Sequence, residues 1–432
     1  MIRRVFRMIF FSVYTALFFF AAVLAGLLFY FGPFLTTESW APFDTIRERL
    51  IWGGVIFFVF FLIALLIFFL RRRREKKMSE EIVETVDVAV EDDAAAAEIA
   101  ELRGKLKTAM ASLRKSKNGR KHLNELPWYV MIGPPGAGKT TAIVNSGLQF
   151  PLADELGKRA IGGVGGTRNC DWWFTNDAVL IDTAGRYTTQ ESDAELDNAA
   201  WLGFLSLLKK YRKRQPINGA MIAISLSDLL MSDEQTRAEH ARAVRRRLNE
   251  LREKLGVRFP VYVLFTKADL IAGFSEFFDS LGKEEREQVW GFTLPLDAAN
   301  AEVPPVGRFD EEFAGLLSQL NAQLLEKMQS ETDHQRRSLI AGFPSQVAAL
   351  RKIARDFLVE TFQDNRYEAR HLLRGVYFTS GTQEGTPIDR LMLSMARTFG
   401  IGRQAIGTGR GTGRSFFLTR LFEGVMFPEA GL

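Results

Sequence analysis

Gly133-Pro134-Pro135-Gly136-Ala137-Gly138-Lys139-Thr140 fits G-x-x-x-x-G-K-[ST], the pattern of a phosphate-binding P-loop. Glycines at this spacing let backbone N–H groups turn inward around phosphate oxygens. In this reading Lys139 sets its ammonium against the β- and γ-phosphates, and Thr140 offers its hydroxyl to Mg²⁺. Thr141 continues into a helix whose positive dipole end faces the anion. The flanks agree. Trp128-Tyr129-Val130-Met131-Ile132 reads as a buried strand, and Thr141-Ala142-Ile143-Val144 opens a helix.

Downstream, residues 170–174 and 178–182 read as two short strands separated by the turn pair Asn176-Asp177. The second strand ends in Asp182-Thr183-Ala184-Gly185. An aspartate closing an apolar strand soon after the loop is placed to serve Mg²⁺, and Gly185 can present its N–H to a γ-phosphate. Thr167, in the glycine-rich stretch 162–168, is the candidate for a threonine that closes on the metal. Strands at 220–224, 260–265 and 374–380 then alternate with helices at 193–214 and 232–255. The outer face of the second helix is basic, but Glu250 and Glu253 interleave there, so it reads as a solvated face and not as a nucleic-acid surface.

The strand at 260–265 runs into Thr266-Lys267-Ala268-Asp269. A strand followed by [NT]-K-x-D resembles the guanine-recognition element of the small GTPases. That resemblance implies that Asp269 accepts from guanine N1 and N2 and that Lys267 lies along the base. Thr379-Ser380-Gly381-Thr382 falls where such folds place a second base-side loop, which adds Ser380 to the candidates. Spacing alone does not separate guanine from adenine, and a plain helix-capping role for Lys267 and Asp269 stays open. After Gly185, where efficient GTPases often carry a water-orienting glutamine, stands Arg186. A guanidinium cannot act as a base. It either stabilises transition-state charge from within the chain or is held in a structural salt bridge. With Lys139, Thr167 and Arg186 as the catalytic set, slow and partner-stimulated turnover is expected.

Upstream, residues 8–34 and 51–70 are nearly or wholly uncharged. At about 1.5 Å rise per residue, ~20 such residues span a bilayer core, so both are predicted to be transmembrane. Arg3, Arg4 and Arg7 precede the first, and the run from Arg71 to Lys77 follows the second, which predicts both ends on the cytoplasmic side. A linker at 78–126 carries an amphipathic stripe, Ile99, Leu102, Leu106 and Met110, expected to dock on the following domain. The chain has 432 residues, a net charge of +5 and one cysteine, which excludes an intrachain disulfide.

The predicted architecture is therefore a two-span transmembrane helical hairpin (1–77), the linker, and an α/β P-loop NTPase domain of small-GTPase-like type (127–281). A helical insertion (282–370) follows, with two amphipathic helices at 309–333 and 344–362. The last strand and helix of the NTPase domain (371–400) and a C-terminal segment (401–432) complete the chain.

Several stretches together resemble the N-terminal portion of the TssM (IcmF) family, inner-membrane subunits of type VI secretion systems. They are the N-terminal hairpin, Gly133 to Thr141, Asp182 to Tyr187, Arg374 to Leu391, and Ser415 to Leu432 with its Phe427-Pro428-Glu429-Ala430-Gly431-Leu432 close. The resemblance implies an inner-membrane partner of the TssL (DotU-like) type and a periplasmic TssJ lipoprotein bound through a part that lies beyond this chain. It also implies baseplate components and a homo-oligomer within the complex. Two functions follow as expectations. One is an NTPase using Mg²⁺ with GTP, or alternatively ATP, to control assembly or recruitment. The other is a scaffold with a vestigial nucleotide site. An ABC-type transporter ATPase is disfavoured, because no L-S-G-G-Q-like signature is present.

Overall fold

The computed structural model describes residues 13–31, 45–63, 65, 96–104, 106–107, 126–150, 170–189, 194–295, 305–363, 370–381 and 414–431. The chain divides into two compact units, Met1–Asp87 and Val88–Leu432.

The first unit contains the helix Val13–Phe31 and a second helical stretch, 46–63. They meet where Ala21 is fully buried and the Phe20 and Phe60 rings lie 6.1 Å apart. The expected pair of membrane spans does not stand, because no helix among the described residues is long and apolar enough to cross a membrane. The second helix opens on a charged turn. Thr45 and Glu48 form a reciprocal cap, with Thr45 N–H donating to Glu48 Oε2 at 3.1 Å and Glu48 N–H to Thr45 Oγ1 at 3.3 Å. That cap starts the helix ahead of the apolar run and draws the charged turn Arg47-Glu48-Arg49 into it. The described residues that follow are apolar, 50–63 and 65, and the rest of 51–70 lies outside the described residues. The described part of the first helix is Val13–Phe31, and the rest of 8–34 lies outside the described residues. The arginines used to orient the hairpin lie outside the described residues.

The second unit is built on a mixed seven-stranded sheet in the order β2-β3-β1-β4-β5-β7-β6. The strands are β1 Trp128–Ile132, β2 Asp171–Phe174, β3 Val179–Asp182, β4 Gly219–Ser225, β5 Pro260–Thr266, β6 Gly291–Thr293 and β7 Leu372–Phe378. The inner five run parallel, while β2 and β6 close the edges antiparallel. Strands β1, β4 and β5 are buried at every position, as expected of central parallel strands covered on both faces. The observed fold is thus this mixed sheet with its helices, and not a hairpin preceding a P-loop domain.

One face is covered by the helices Ala194–Tyr211, Glu234–Leu255 and Arg351–Phe362. Glu234–Leu255 starts at Asp233, whose side chain accepts from Thr236 N–H at 2.7 Å, and stops at Gly256 in the left-handed region. On its outer side Arg242 and Arg246 are exposed. Arg247 is buried, pairs with Glu250 at 3.0 Å and lies over the Trp201 ring. The described part of the amphipathic linker docks as expected, while Met110 lies outside the described residues. Helical residues 96–104 bury Ile99 and Leu102, and a Cβ on Gly203 would collide with the Ile99 side chain. The insertion departs from the two helices expected. Among the described residues it holds three long ones, Phe309–Ser330, His334–Ala348 and Arg351–Phe362, besides the single turn Lys283–Arg286, because Pro344 lies within the second long helix instead of opening it. It also supplies the short edge strand β6.

The opposite face is covered by the segment 414–431. Leu418, Leu421, Phe422 and Met426 join Tyr129, Met131, Tyr262 and Tyr377 in one buried cluster. Its far end is tied by polar contacts. Tyr129 donates its hydroxyl to the Met426 carbonyl at 2.5 Å. Arg374 forks onto Glu429 at 2.7 and 3.0 Å, and Tyr262 donates to the same carboxylate at 2.7 Å. Phe422 is fully buried in this segment. Phe422→Ala is expected to lower the stability of the sheet unit by about 3–5 kcal/mol, read as a lower urea midpoint at an unchanged slope.

Candidate functional site

The parallel strands end on one edge of the sheet, and the sequence-predicted residues converge there. From β1 the chain enters the loop at Gly133, whose φ is 155°. A Cβ on Gly133 would collide with the Ala223 carbonyl of β4, so only glycine lets the loop pass this close. Gly136 and Gly138 hold φ of 74° and 77°, the left-handed region that glycine occupies without strain. The helix Lys139–Val144 starts directly after.

Lys139 is 6 % exposed and folds back over the loop, donating to the Gly133 carbonyl at 2.7 Å and the Pro134 carbonyl at 3.1 Å. Burial pulls its ammonium below the ordinary lysine range, and nearby Asp182 opposes that. The Thr140 hydroxyl donates to Asp182 Oδ2, so the two metal-side candidates are already in contact across β3 and the loop. Gly185 closes against the loop from the other side, where a Cβ would collide with the Pro134–Pro135 backbone. The short helix Arg186–Thr189 follows, and its Thr188 hydroxyl accepts from Gly133 N–H at 3.2 Å.

Arg186 is engaged elsewhere. Its guanidinium donates to Glu98 Oε1 at 2.5 Å and to Asp197, and lies 4.8 Å from the Tyr187 ring centroid. Of the two roles left open by the sequence, the salt bridge is the arrangement seen. Glu98 carried no motif. Only its neighbourhood to the Ile99 stripe pointed to it. Thr167 lies outside the described residues, as do 382–391.

The base-side candidates assemble beside the loop. Thr266 closes β5 and donates its hydroxyl to the Ala137 carbonyl at 2.6 Å, tying the two loops together. Lys267 takes a left-handed backbone, φ 58°, and its ammonium is 4.0 Å from Asp228. Asp269 is 5 % exposed. The Ser380 hydroxyl bonds to its carboxylate, but Oδ1 has no hydrogen-bond partner among the described residues. Burial pushes this carboxyl up to about 6, against the pull of the Ser380 bond. Ser380 itself is fixed by paired backbone hydrogen bonds with Phe416, at 2.8 and 3.1 Å.

Fold and site together define an α/β domain that carries a strand, a glycine-rich loop and a helix at the carboxyl edge of a mixed sheet. The IcmF-related N-terminal domain matches residues 194–432. The chain is 59% identical over 342 residues to the type VI secretion system component TssM1 of Pseudomonas aeruginosa (strain PAO1), which covers 78% of this chain and 31% of that protein. The chain belongs to the TssM (IcmF) family and corresponds to its N-terminal portion, spanning about a third of the length of that curated relative.

The raised Asp269 carboxyl fixes the sign of a pH effect. The folded state holds this proton more tightly than the unfolded chain, so its contribution to stability is present below 3.8 and is lost as pH rises toward about 6. Asp269→Asn removes that loss. The ligand-free variant is expected to be more stable than wild type by about 1–3 kcal/mol near pH 7.5. The gain should vanish near pH 4, as read by thermal unfolding across the range.

Proposed function

We propose that this chain is the part of a type VI secretion component, acting at the inner membrane, that binds GTP with Mg²⁺ at the Gly133–Thr140 loop. Slow turnover there controls assembly or recruitment of the secretion complex. The observation that carries this reading is Asp269. Its Oδ1 is buried with no partner among the described residues, which costs free energy, and it lies at the end of the strand whose Thr266 holds the glycine-rich loop. Guanine answers it with two donors, N1–H and the 2-amino group. Adenine offers an acceptor nitrogen at the corresponding edge, which a carboxylate repels.

The residues present suit a magnesium nucleotide. Gly133, Pro134, Pro135, Gly136, Ala137 and Gly138 form the cradle, Lys139 supplies a buried cation, and Thr140 and Asp182 supply hydroxyl and carboxylate oxygens, a hard donor set of the kind Mg²⁺ takes. The ion, when bound, neutralises phosphate charge. Lys139 exchanges its two loop carbonyls for phosphate oxygens. Thr140 and Asp182 give up their mutual hydrogen bond. Gly185 turns its N–H to the outer phosphate, and Thr167 is the threonine proposed to close on the metal side. Slow turnover is consistent with Arg186, which is held by two carboxylates and cannot orient water as a base. The same engagement favours a second reading, a scaffold that binds nucleotide without hydrolysing it.

From the family come the proposed partners: a TssL (DotU-like) inner-membrane subunit, baseplate components, further copies of the chain, and a TssJ lipoprotein reached through the rest of the full-length protein. Nucleoside triphosphate is found in the cytoplasm, and the sheet unit is assigned there.

Binding of fluorescent GTP and ATP analogues to the full chain with Mg²⁺ tests this. GTP is expected to bind more tightly than ATP. Lys139→Ala should weaken both by roughly 10–100-fold, the scale of a lost charge-assisted hydrogen-bond pair. Asp269→Ala should remove the preference. Equal binding of the two nucleotides by wild type would contradict the base assignment. A Lys139→Ala strain that secretes normally without binding nucleotide would leave only the scaffold.

A further inference from the structure

The turn after Gly185 is gripped from two sides. Inward, Gly185 packs on the Pro134–Pro135 backbone and Thr188 accepts from Gly133 N–H at 3.2 Å. Outward, Glu98 takes both neighbours of that contact. Its Oε1 receives the Arg186 guanidinium at 2.5 Å and the Tyr187 hydroxyl. Glu98 is not part of the sheet domain's own motifs. It rides on helical residues 96–104, which are anchored by Ile99 over Gly203 and by Leu102, fully buried. Asp197, fully buried in the helix Ala194–Tyr211, completes the grip on Arg186.

We propose that Glu98 is a positioning residue for the nucleotide site, holding the Gly185–Thr189 turn against the glycine-rich loop so that helix 96–104 and the terminal phosphate of a nucleoside triphosphate oppose each other. The proposal rests on nucleotide binding at Gly133–Thr140. Its physical content is steric and electrostatic. With the Gly185 backbone packed directly on Pro134–Pro135, a terminal phosphate gains room only if the turn moves outward. Arg186 and Tyr187 follow Gly185 without an intervening residue, so that movement disturbs the bonds to Glu98. A diphosphate does not reach Gly185 and leaves the turn in place. Coupling is reciprocal: whatever loosens the helix must favour triphosphate by the same factor that triphosphate loosens the helix. The site thereby reports its phosphate state to the stretch of chain that precedes the sheet.

The full chain with Mg²⁺ is titrated with GTPγS and with GDP, for wild type, Glu98→Gln and Ile99→Ala. Glu98→Gln keeps the shape and weakens the grip. It is expected to bind GTPγS about five- to tenfold tighter, within the usual range of coupling between sites, while its GDP affinity changes by less than about twofold. Ile99→Ala, which loosens the helix without touching the ion pair, should shift in the same direction. Hydrogen exchange in 96–107 should quicken with GTPγS and not with GDP. A purely structural Glu98 would weaken both nucleotides together, which overturns the proposal. Unchanged affinities with unchanged exchange overturn it too, while nucleotide binding stands. Wild type binding neither nucleotide overturns both.

Discussion

The close passage of Gly133 beneath the Ala223 carbonyl is the constraint around which the second unit is arranged. It requires a residue without a side chain, in a backbone region that other residues avoid. Once the loop lies there, its carbonyls face Lys139, and Ala137 comes within reach of Thr266 on β5. Three neighbouring parallel strands, β1, β4 and β5, are thereby joined at one edge by a loop instead of by side-chain packing alone. The residues proposed to act on nucleotide follow from that edge. Asp182 ends β3, Thr266 ends β5, and Ser380 follows β7.

The edge is supported from outside the sheet. Phe416 pairs with Ser380, and the chain then crosses one face, filling it with Leu418, Phe422 and Met426 before Glu429 meets Arg374 and Tyr262. The base-side loop is therefore fixed by a segment far from it in sequence. On the other flank, helix 96–104 reaches the turn after Gly185 through one carboxylate. Two distant parts of the chain thus frame the loop, one beside Gly185 and one beside Asp269.

Much of the sheet was legible in the sequence. Strands at 128–132, 220–224, 260–265 and 374–380 lie within a residue or two of β1, β4, β5 and β7, because buried parallel strands read as short continuous apolar runs. The edge strand β6 was not legible. Gly291-Phe292-Thr293 is too short to carry a period, and its pairing with β7 is fixed by tertiary contact. Pro344 misled for a local reason, since proline more often opens a helix than sits inside one. The membrane hairpin was overcalled. Hydropathy read the apolar runs but not the Thr45–Glu48 cap, which draws charged residues into the second helix. Within the candidate site, motifs pointed to Lys139, Thr140, Asp182 and Asp269, which the fold brings to one edge of the sheet. Glu98 escaped because an ion pair between residues eighty-eight apart leaves no local pattern.

Two carboxylates flank the glycine-rich loop. Asp182 takes the Thr140 hydroxyl on Oδ2 and Asp269 takes the Ser380 hydroxyl, while Asp269 Oδ1 lies buried without a donor among the described residues. A folded chain tolerates such a group when a ligand relieves it. The most direct test is an experimental structure of the full chain with Mg²⁺ and a non-hydrolysable GTP analogue. The account predicts Lys139 Nζ withdrawn from the Gly133 and Pro134 carbonyls onto phosphate oxygens, with the guanine edge on Asp269 Oδ1. Lys139 still 2.7 Å from the Gly133 carbonyl, with nucleotide absent from the loop or bound elsewhere, would contradict it.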